Sequence, residues 1–300
     1  MDNIIIAEKL IKDEDMEALY NTDVKPEQIK YIIDCDTDVY TEDGNLLLIF
    51  RKKALPDNHL KSYYESLKQF TLKTPSQNRG GASGGKYKCK NIYENKKVFS
   101  SIMGYFDIWS PSQKKKIREL GLNKIPVPEV RPTYFNSTQP NKYKNAVPLI
   151  EEINKLYKKM LPSYFQKQNE KAKETKFRVS NTAFTTITTN INYKTTIHQD
   201  KGDDDEGFGN LVVIEDGVYT GGETCFPQYG IGVDVRQGDI LFMDVHQAHG
   251  NLPMNMKGDG KRMSIVCYLR KKVWQRTKDL NEEQYEHIHN IIKTLNPRAV

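Results

Sequence analysis

Three hundred residues suffice for one large domain or two small ones, with a substantial core. The hydrophobic fraction is 37% and no run of eighteen apolar residues occurs, which predicts a globular chain and argues against a membrane-spanning helix. A formal charge of +6, from 45 basic against 39 acidic residues, permits a polyanionic partner without demanding one.

The N-terminus, "MDNIIIAEKL", lacks the basic stretch of a secretory signal. Cys35, Cys89, Cys225 and Cys267 form no CxxC pair, so neither a disulfide framework nor a Cys-based zinc site is indicated. Reduced thiols in an intracellular protein, cytoplasmic or nuclear and not secreted, are the expectation. Residues 1–55 alternate short apolar runs, "YIIDCDTDVY" and "NLLLIFRKK", around "EDGN", which predicts strands and a hairpin. A helix follows in "LPDNHLKSYYESLKQF", with Asp57 as N-cap and Leu60, Tyr63 or Tyr64, Leu67 and Phe70 on one face. A second helix fits "NAVPLIEEINKLYKKMLP", with Val147, Ile150, Ile153, Leu156, Tyr157 and Met160 at helical spacing and Pro162 as its stop.

From about residue 177 the period changes. "FRVSNTAFTTITTNINYKTTIHQD", "GNLVVIEDGVYTGG", "ETCFPQYGIGVDV", "GDILFMDV" and "RMSIVCYLR" are short, β-prone and bounded by Gly or Asp turns. Strands at such spacing suggest a double-stranded β-helix, or jelly roll: an all-β core with flanking helices, of the α+β class. "LNEEQYEHIHNIIKTL" closes the chain as a helix, with Asn281 and Gln284 as a capping box. The division expected is an N-terminal α/β region, 1–145, packed on a β-helix domain, 146–300, the two forming one continuous unit.

On a strand, residues two apart share a face, so His198 and Asp200 in "TTIHQDKGD" project together. A second His from a neighbouring strand would complete the two-His, one-carboxylate facial triad of non-haem Fe(II) oxygenases. "GDILFMDVHQAHGN" offers His249 and His246. His249 is favoured at the strand exit, beside the small Gly250, while strict alternation would put His246 on the face of Phe242 and Asp244. Iron that activates dioxygen also needs a two-electron co-substrate. Were this 2-oxoglutarate, its far carboxylate would need a cation. Arg262, thirteen residues past His249 at the head of "RMSIVCYLR", presents the guanidinium fork that pairs bidentately with a carboxylate; Lys261 is the weaker choice.

"FTTITTNINYKTTIHQDKGD", "GFGNLVVIEDGVYTGGETCFPQYGIGVDVRQGDILFMDVHQAHGN" and "KRMSIVCYLR" together resemble the TET/JBP branch of the Fe(II)/2-oxoglutarate-dependent dioxygenase superfamily. The resemblance covers roughly residues 180–270. It implies that His198, Asp200 and His249 bind Fe(II) and that Arg262 binds 2-oxoglutarate. It further implies that dioxygen is consumed, with ascorbate as a possible stimulant, to hydroxylate the 5-methyl group of thymine or 5-methylcytosine in DNA. Such an enzyme must flip its base or use single strands. "QNRGGASGGKYKCK" is the candidate rim: Asn78 and Arg79 for substrate, with Lys86, Lys88 and Lys90 meeting phosphates, or else only a flexible loop. The alternatives are a prolyl, lysyl or asparaginyl hydroxylase of the same superfamily, and a non-catalytic nucleic-acid-binding module on the same fold. His59, His287 and His289 read as structural or surface residues, "GDDDE" as a solvated turn and "GVYTGG" as a hairpin turn.

Overall fold

The computed structural model describes residues 3–73 and 99–295. The Gly-rich segment with Asn78, Arg79, Lys86, Lys88 and Lys90 therefore lies outside the described residues. In chain order the early strands are β1 (Asn3–Ala7), β2 (Tyr31–Ile33), β3 (Thr37–Thr41), β4 (Leu46–Arg51), β5 (Phe99–Phe106) and β6 (Arg131–Pro132). The later ones are β7 (Thr186–Ile191), β8 (Gly209–Gly221), β9 (Thr224–Phe226), β10 (Ile231–Val233), β11 (Ile240–Met243), β12 (Gly250–Asn251) and β13 (Met254–Tyr268). The helices are α1 (Asp13–Met16), α2 (Asp57–Leu72), α3 (Pro111–Glu119), α4 (Tyr134–Thr138), α5 (Pro140–Met160), α6 (Pro162–Lys173), α7 (Lys271–Thr277) and α8 (Glu282–Leu295).

These elements form two compact units: one of Met1–Ser101, Thr189–Lys201 and Phe208–Val266, the other of Ile102–Thr188, Gly202–Gly207 and Cys267–Val300. In the first unit β1, β3, β4, β11, β8 and β13 lie side by side in that order, and β12, β9, β10 and β2 make a second sheet. Apolar side chains of the strands turn inward from both sheets. Val39, Leu48, Phe50, Leu211 and Leu241 from the larger meet Ile33, Phe226, Ile231 and Val233 from the smaller in one buried cluster. This is the two-sheet core expected of a jelly roll. The hairpin expected around "EDGN" is β3–β4, with Gly44 at φ 80°, a left-handed turn position that suits glycine.

In the second unit α3, α7 and α8 pack around Trp109, Ile117, Val130, Phe177, Val273, Ile288 and Ile292. The Asn281–Gln284 capping box forms as expected: Gln284 N donates to Asn281 Oδ1 at 2.8 Å and Asn281 N to Gln284 Oε1 at 3.3 Å. Three local expectations change. Pro56, not Asp57, is the N-cap of α2, and it has no side-chain cap bond because proline offers no polar atom. Pro162, which ends α5, also opens α6, where its missing N–H costs nothing. The two glycines of "GVYTGG" do not close a hairpin: β8 belongs to the larger sheet and β9 to the smaller, so the chain changes sheets there. Gly221 and Gly222 have φ of 77° and 81°, and a Cβ on Gly221 would stand 2.1 Å from the Pro253 carbonyl oxygen.

Candidate metal centre

The run "TTIHQD" does not continue β7. After Ile191 the chain leaves regular strand, and His198 pairs with its opposite only through an isolated bridge to His249. Both amides serve that bridge: His198 N donates to His249 O, and His249 N to His198 O, each at 2.9 Å. Asp200 N then donates to Val245 O at 3.0 Å, which ties the carboxylate to the same edge. Face-sharing by alternation was the sequence argument; the structure achieves the same convergence with two strand fragments anchored on one another.

The imidazoles are held by their inner nitrogens. His198 Nδ1 lies 2.7 Å from Thr196 O and His249 Nδ1 lies 2.9 Å from Gln247 O, so each ring donates Nδ1–H to a carbonyl and leaves an Nε2 lone pair. Those lone pairs converge on Asp200. His198 Nε2 is 3.7 Å from Asp200 Oδ1, and His249 Nε2 is 3.8 Å from Asp200 Oδ2. Atoms bound to one divalent ion at about 2.0–2.2 Å lie no more than about 4.4 Å apart, so both pairs span a gap that an ion can close. One ligand atom from each of the three residues lies within 4.8 Å of the others. His249 is buried, 6% exposed, whereas Asp200 is 37% exposed, which leaves the site open on the carboxylate side. Burial first, and the neighbouring His198 second, push the His249 pKa down, which keeps the ring neutral as a metal ligand must be.

His246 does not join this cluster. β11 ends at Met243, and Asp244–Gln247 is a turn in which Gln247 N donates to Asp244 O and His246 N to Asp244 Oδ1. The alternation used to weigh His246 against His249 therefore stops three residues short of the first of them. Gly250 has a different purpose from the one expected. A Cβ there would meet Val24 Cγ2 at 2.8 Å and Thr196 O at 3.0 Å, so the glycine permits backbone contact and is not clearing room for an ion.

Arg262 lies within β13, not at a strand head, and is 3% exposed. Its backbone N donates to Asn192 Oδ1 at 2.7 Å. Its Nε and Nη2 are buried and make no hydrogen bond, and burial lowers its pKa. Nε–H and Nη2–H form one edge of a guanidinium, the edge that grips a carboxylate side-on. A buried cation with that edge unpaired is costly unless an anion completes it, which fits the far carboxylate of 2-oxoglutarate.

Sequence reasoning passed over Tyr219, whose hydroxyl is also buried without a hydrogen bond, and Arg236 beneath it, with Cζ 4.5 Å from the ring centre. It also passed over Asn192, at φ 50°, a left-handed conformation that Asn tolerates; no local signal marked any of the three. The "GDDDE" turn is not simply solvated: Asp203 and Asp204 are buried, and Lys171 Nζ donates to Asp204 Oδ1 at 2.6 Å. His287 Nε2–H donates to Leu122 O and His289 stacks on Tyr285, so both are structural.

The profile of the TET/JBP family, described as the oxygenase domain of the 2OGFeDO superfamily, matches residues 101–271. Among curated relatives, the bifunctional helicase and thymine dioxygenase JBP2 of Trypanosoma cruzi is 31% identical over 172 residues, which is 57% of this chain and 14% of that protein. Thymine dioxygenase JBP1 of Trypanosoma brucei brucei is 28% identical over 174 residues, 57% of this chain and 19% of that protein. The chain thus spans under a fifth of the length of these relatives. Among solved structures, NgTET1 in complex with 5mC DNA superposes with a TM-score of 0.53 at 15% identity, covering 90% of each chain, which is a likeness of fold.

Proposed function

The chain belongs to the TET/JBP oxygenase family of the 2-oxoglutarate and Fe(II) dioxygenase superfamily, and from that membership we propose that it hydroxylates the 5-methyl group of thymine or 5-methylcytosine in DNA. The observation that carries the proposal is the convergence of His198 Nε2, Asp200 and His249 Nε2 on one gap, a donor set suited to Fe(II) with open positions left for co-substrate and dioxygen. The family brings Fe(II), 2-oxoglutarate and dioxygen as its cofactors; when bound, they supply an oxidant for a substrate C–H and leave succinate and CO2. The residues of this chain do the holding. Thr196 O and Gln247 O fix the tautomers of the two imidazoles, Asp200 supplies the carboxylate ligand, and Arg262 receives the far carboxylate of 2-oxoglutarate.

DNA is the proposed partner, because both relatives matched over 57% of the chain are thymine dioxygenases. The peptide-hydroxylase alternative has no comparable support. A stacked base cannot reach a buried metal, so the substrate is a flipped nucleotide or a single strand. Asn78 and Arg79 remain the proposed substrate contacts on the chain's Gly-rich segment. Residues 146–300, which hold all four site residues, are the proposed β-helix domain, with 1–145 packed on it. Ascorbate, as a reductant, is proposed to keep the iron ferrous. No helix among the described residues is long and apolar enough to cross a membrane; the compartment proposed is wherever its DNA lies, nucleus or cytoplasm.

The test is mass spectrometry of nucleosides from thymine-only and 5-methylcytosine duplexes incubated with iron-loaded protein, 2-oxoglutarate and air. A hydroxymethyl base absent from a His198→Ala control supports the proposal. Succinate formed without any modified base would transfer the chemistry to another substrate.

A further inference from the structure

Three guanidinium groups of the second unit close on one short stretch at the end of β5, residues 106–108. Arg131 stands opposite Phe106 in the β5–β6 register, with its Cζ 5.4 Å from the ring centre. Its Nε donates to Ile108 O at 2.6 Å. Arg270, the N-cap of α7, lies 4.3 Å from the same ring and donates Nε–H to Asp107 Oδ1 at 2.6 Å. Arg276 of α7 donates Nη1–H to Asp107 O and reaches Glu129 O at 3.5 Å. The stretch meets solvent: Ile108 is 45% exposed, Arg276 is exposed and Phe106 and Arg131 are half-buried.

The anchors of Arg131 and Arg276 are carbonyl oxygens, which fix a guanidinium without neutralising it. Both nearby carboxylates are claimed by other cations. Asp107, 1% exposed, pairs with Arg270, while Glu129 pairs with Lys114 at 2.6 Å and accepts from Trp109 N at 3.1 Å. Four cations thus meet two anions, and Arg131 and Arg276 form no salt bridge among the described residues. Burial outweighs Asp107 at Arg131 and lowers its pKa from the ordinary arginine value. The wider charge distribution agrees. The second unit holds 23 basic against 15 acidic residues and the first 22 against 24, so the positive excess belongs to the unit with these arginines.

We propose that Arg131 and Arg276 form a clamp for a phosphodiester of the DNA strand. The inference rests on the reading of DNA as the partner and adds where its backbone is held. A guanidinium keeps its charge and presents a fork that matches phosphate bidentately. The carbonyl anchors and the Phe106 ring hold these long side chains in place beforehand, which reduces the entropy lost on binding. Phosphate contacts carry no sequence information, so the clamp sets the register of the strand and not the choice of base.

Fluorescence anisotropy of a labelled duplex with the full chain, across a salt series, tests the clamp. Arg131→Gln with Arg276→Gln should reduce the slope of log affinity against log salt by about 2. Binding at low salt should weaken by at least about tenfold, equally for thymine and 5-methylcytosine duplexes. Arg131→Lys with Arg276→Lys keeps the charge and should restore most of the slope. Arg276→Gln alone, at an exposed position, should still remove about 1 from the slope if the double variant fails to fold. Lys158→Gln with Lys159→Gln removes two exposed cations at the end of α5 and should move the slope by less than about 0.5. An unchanged slope in the arginine variants, or an equal loss in the lysine pair, overturns the clamp and leaves DNA as partner. Displacement of the duplex by polyglutamate as readily as by unlabelled duplex would assign the clamp to an acidic peptide. A native chain that binds no duplex at all fails the DNA reading itself, and the clamp with it.

Discussion

At the scale of single residues, the centre depends on two carbonyl groups that no side-chain scan would notice. Thr196 O and Gln247 O hold the Nδ1–H of His198 and His249, and so decide which nitrogen meets a metal. Two variants test this geometry against the nearest competitor. His249→Ala should weaken Mn(II) or Fe(II) binding by at least about 100-fold, since loss of a ligand costs no less than loss of the groups that orient it. His246→Ala should leave metal affinity within about twofold, because its ring is not among the ligand atoms that converge on the gap. Anaerobic metal titration reads both, and a reversed order would exchange the two histidines. The pattern HxD, then His, then Arg was legible because each residue type is chemically rare in that role. The choice between His246 and His249 rested on an alternation that the turn after Met243 interrupts. Tyr219 was illegible because its burial and its stacking on the Arg236 guanidinium arise only in the folded chain.

At the scale of elements, the acidic run after Asp200 shows how a charge cluster that looks solvated becomes a brace. Lys171 of α6 reaches Asp204 at 2.6 Å and Glu206 at 2.8 Å, while Lys167 reaches Glu206 at 3.1 Å. The same helix presents Gln168, whose Nε2 donates to Ala183 O at 2.8 Å. Asp204 is 2% exposed, so Lys171→Met should destabilise the fold by about 2 kcal/mol, measured by urea denaturation. A loss under about 0.5 kcal/mol would make α6 independent of that run. Hydrogen bonds from Lys171 and then Lys167 hold the Glu206 carboxyl down to about 2, from an ordinary 4.5. A depressed carboxyl stabilises the fold above its unfolded value and loses that contribution as the pH falls. The melting-temperature gap between the native chain and Glu206→Gln should therefore shrink as pH drops from 4.5 toward 2, and stay constant above. A gap independent of pH would mean the pair contributes nothing. In the two-sheet core, Phe50 of β4 is fully buried, and Phe50→Ala should cost about 3–5 kcal/mol in the same denaturation assay. Most of these elements could be read from period and turn chemistry. The sheet change at Gly221–Gly222 could not, since two glycines mark a tight bend without saying which sheet the next strand joins.

At the scale of the molecule, residues before position 52 complete both sheets of the first unit. β1, β3 and β4 extend the larger sheet, and β2 pairs in parallel with β10, two hundred residues later. Such long-range pairing leaves no trace in local periodicity, which is why the N-terminal strands were visible and their place was not. A charge of +6 is modest for a nucleic-acid enzyme, so the proposed DNA contact should depend on a few phosphates. Even two phosphate contacts predict that duplex affinity falls about tenfold between about 50 and 200 mM salt, by gel shift. A flat response would argue for a partner other than DNA. The measurement that tests the whole account most directly is the fate of heavy oxygen gas in a reaction with Fe(II), 2-oxoglutarate and thymine- or 5-methylcytosine-containing DNA. The account predicts labelled oxygen in the hydroxymethyl base and in succinate, formed together and both lost in Asp200→Ala. An unmodified base with no succinate formed, or equal products from Asp200→Ala, would contradict it.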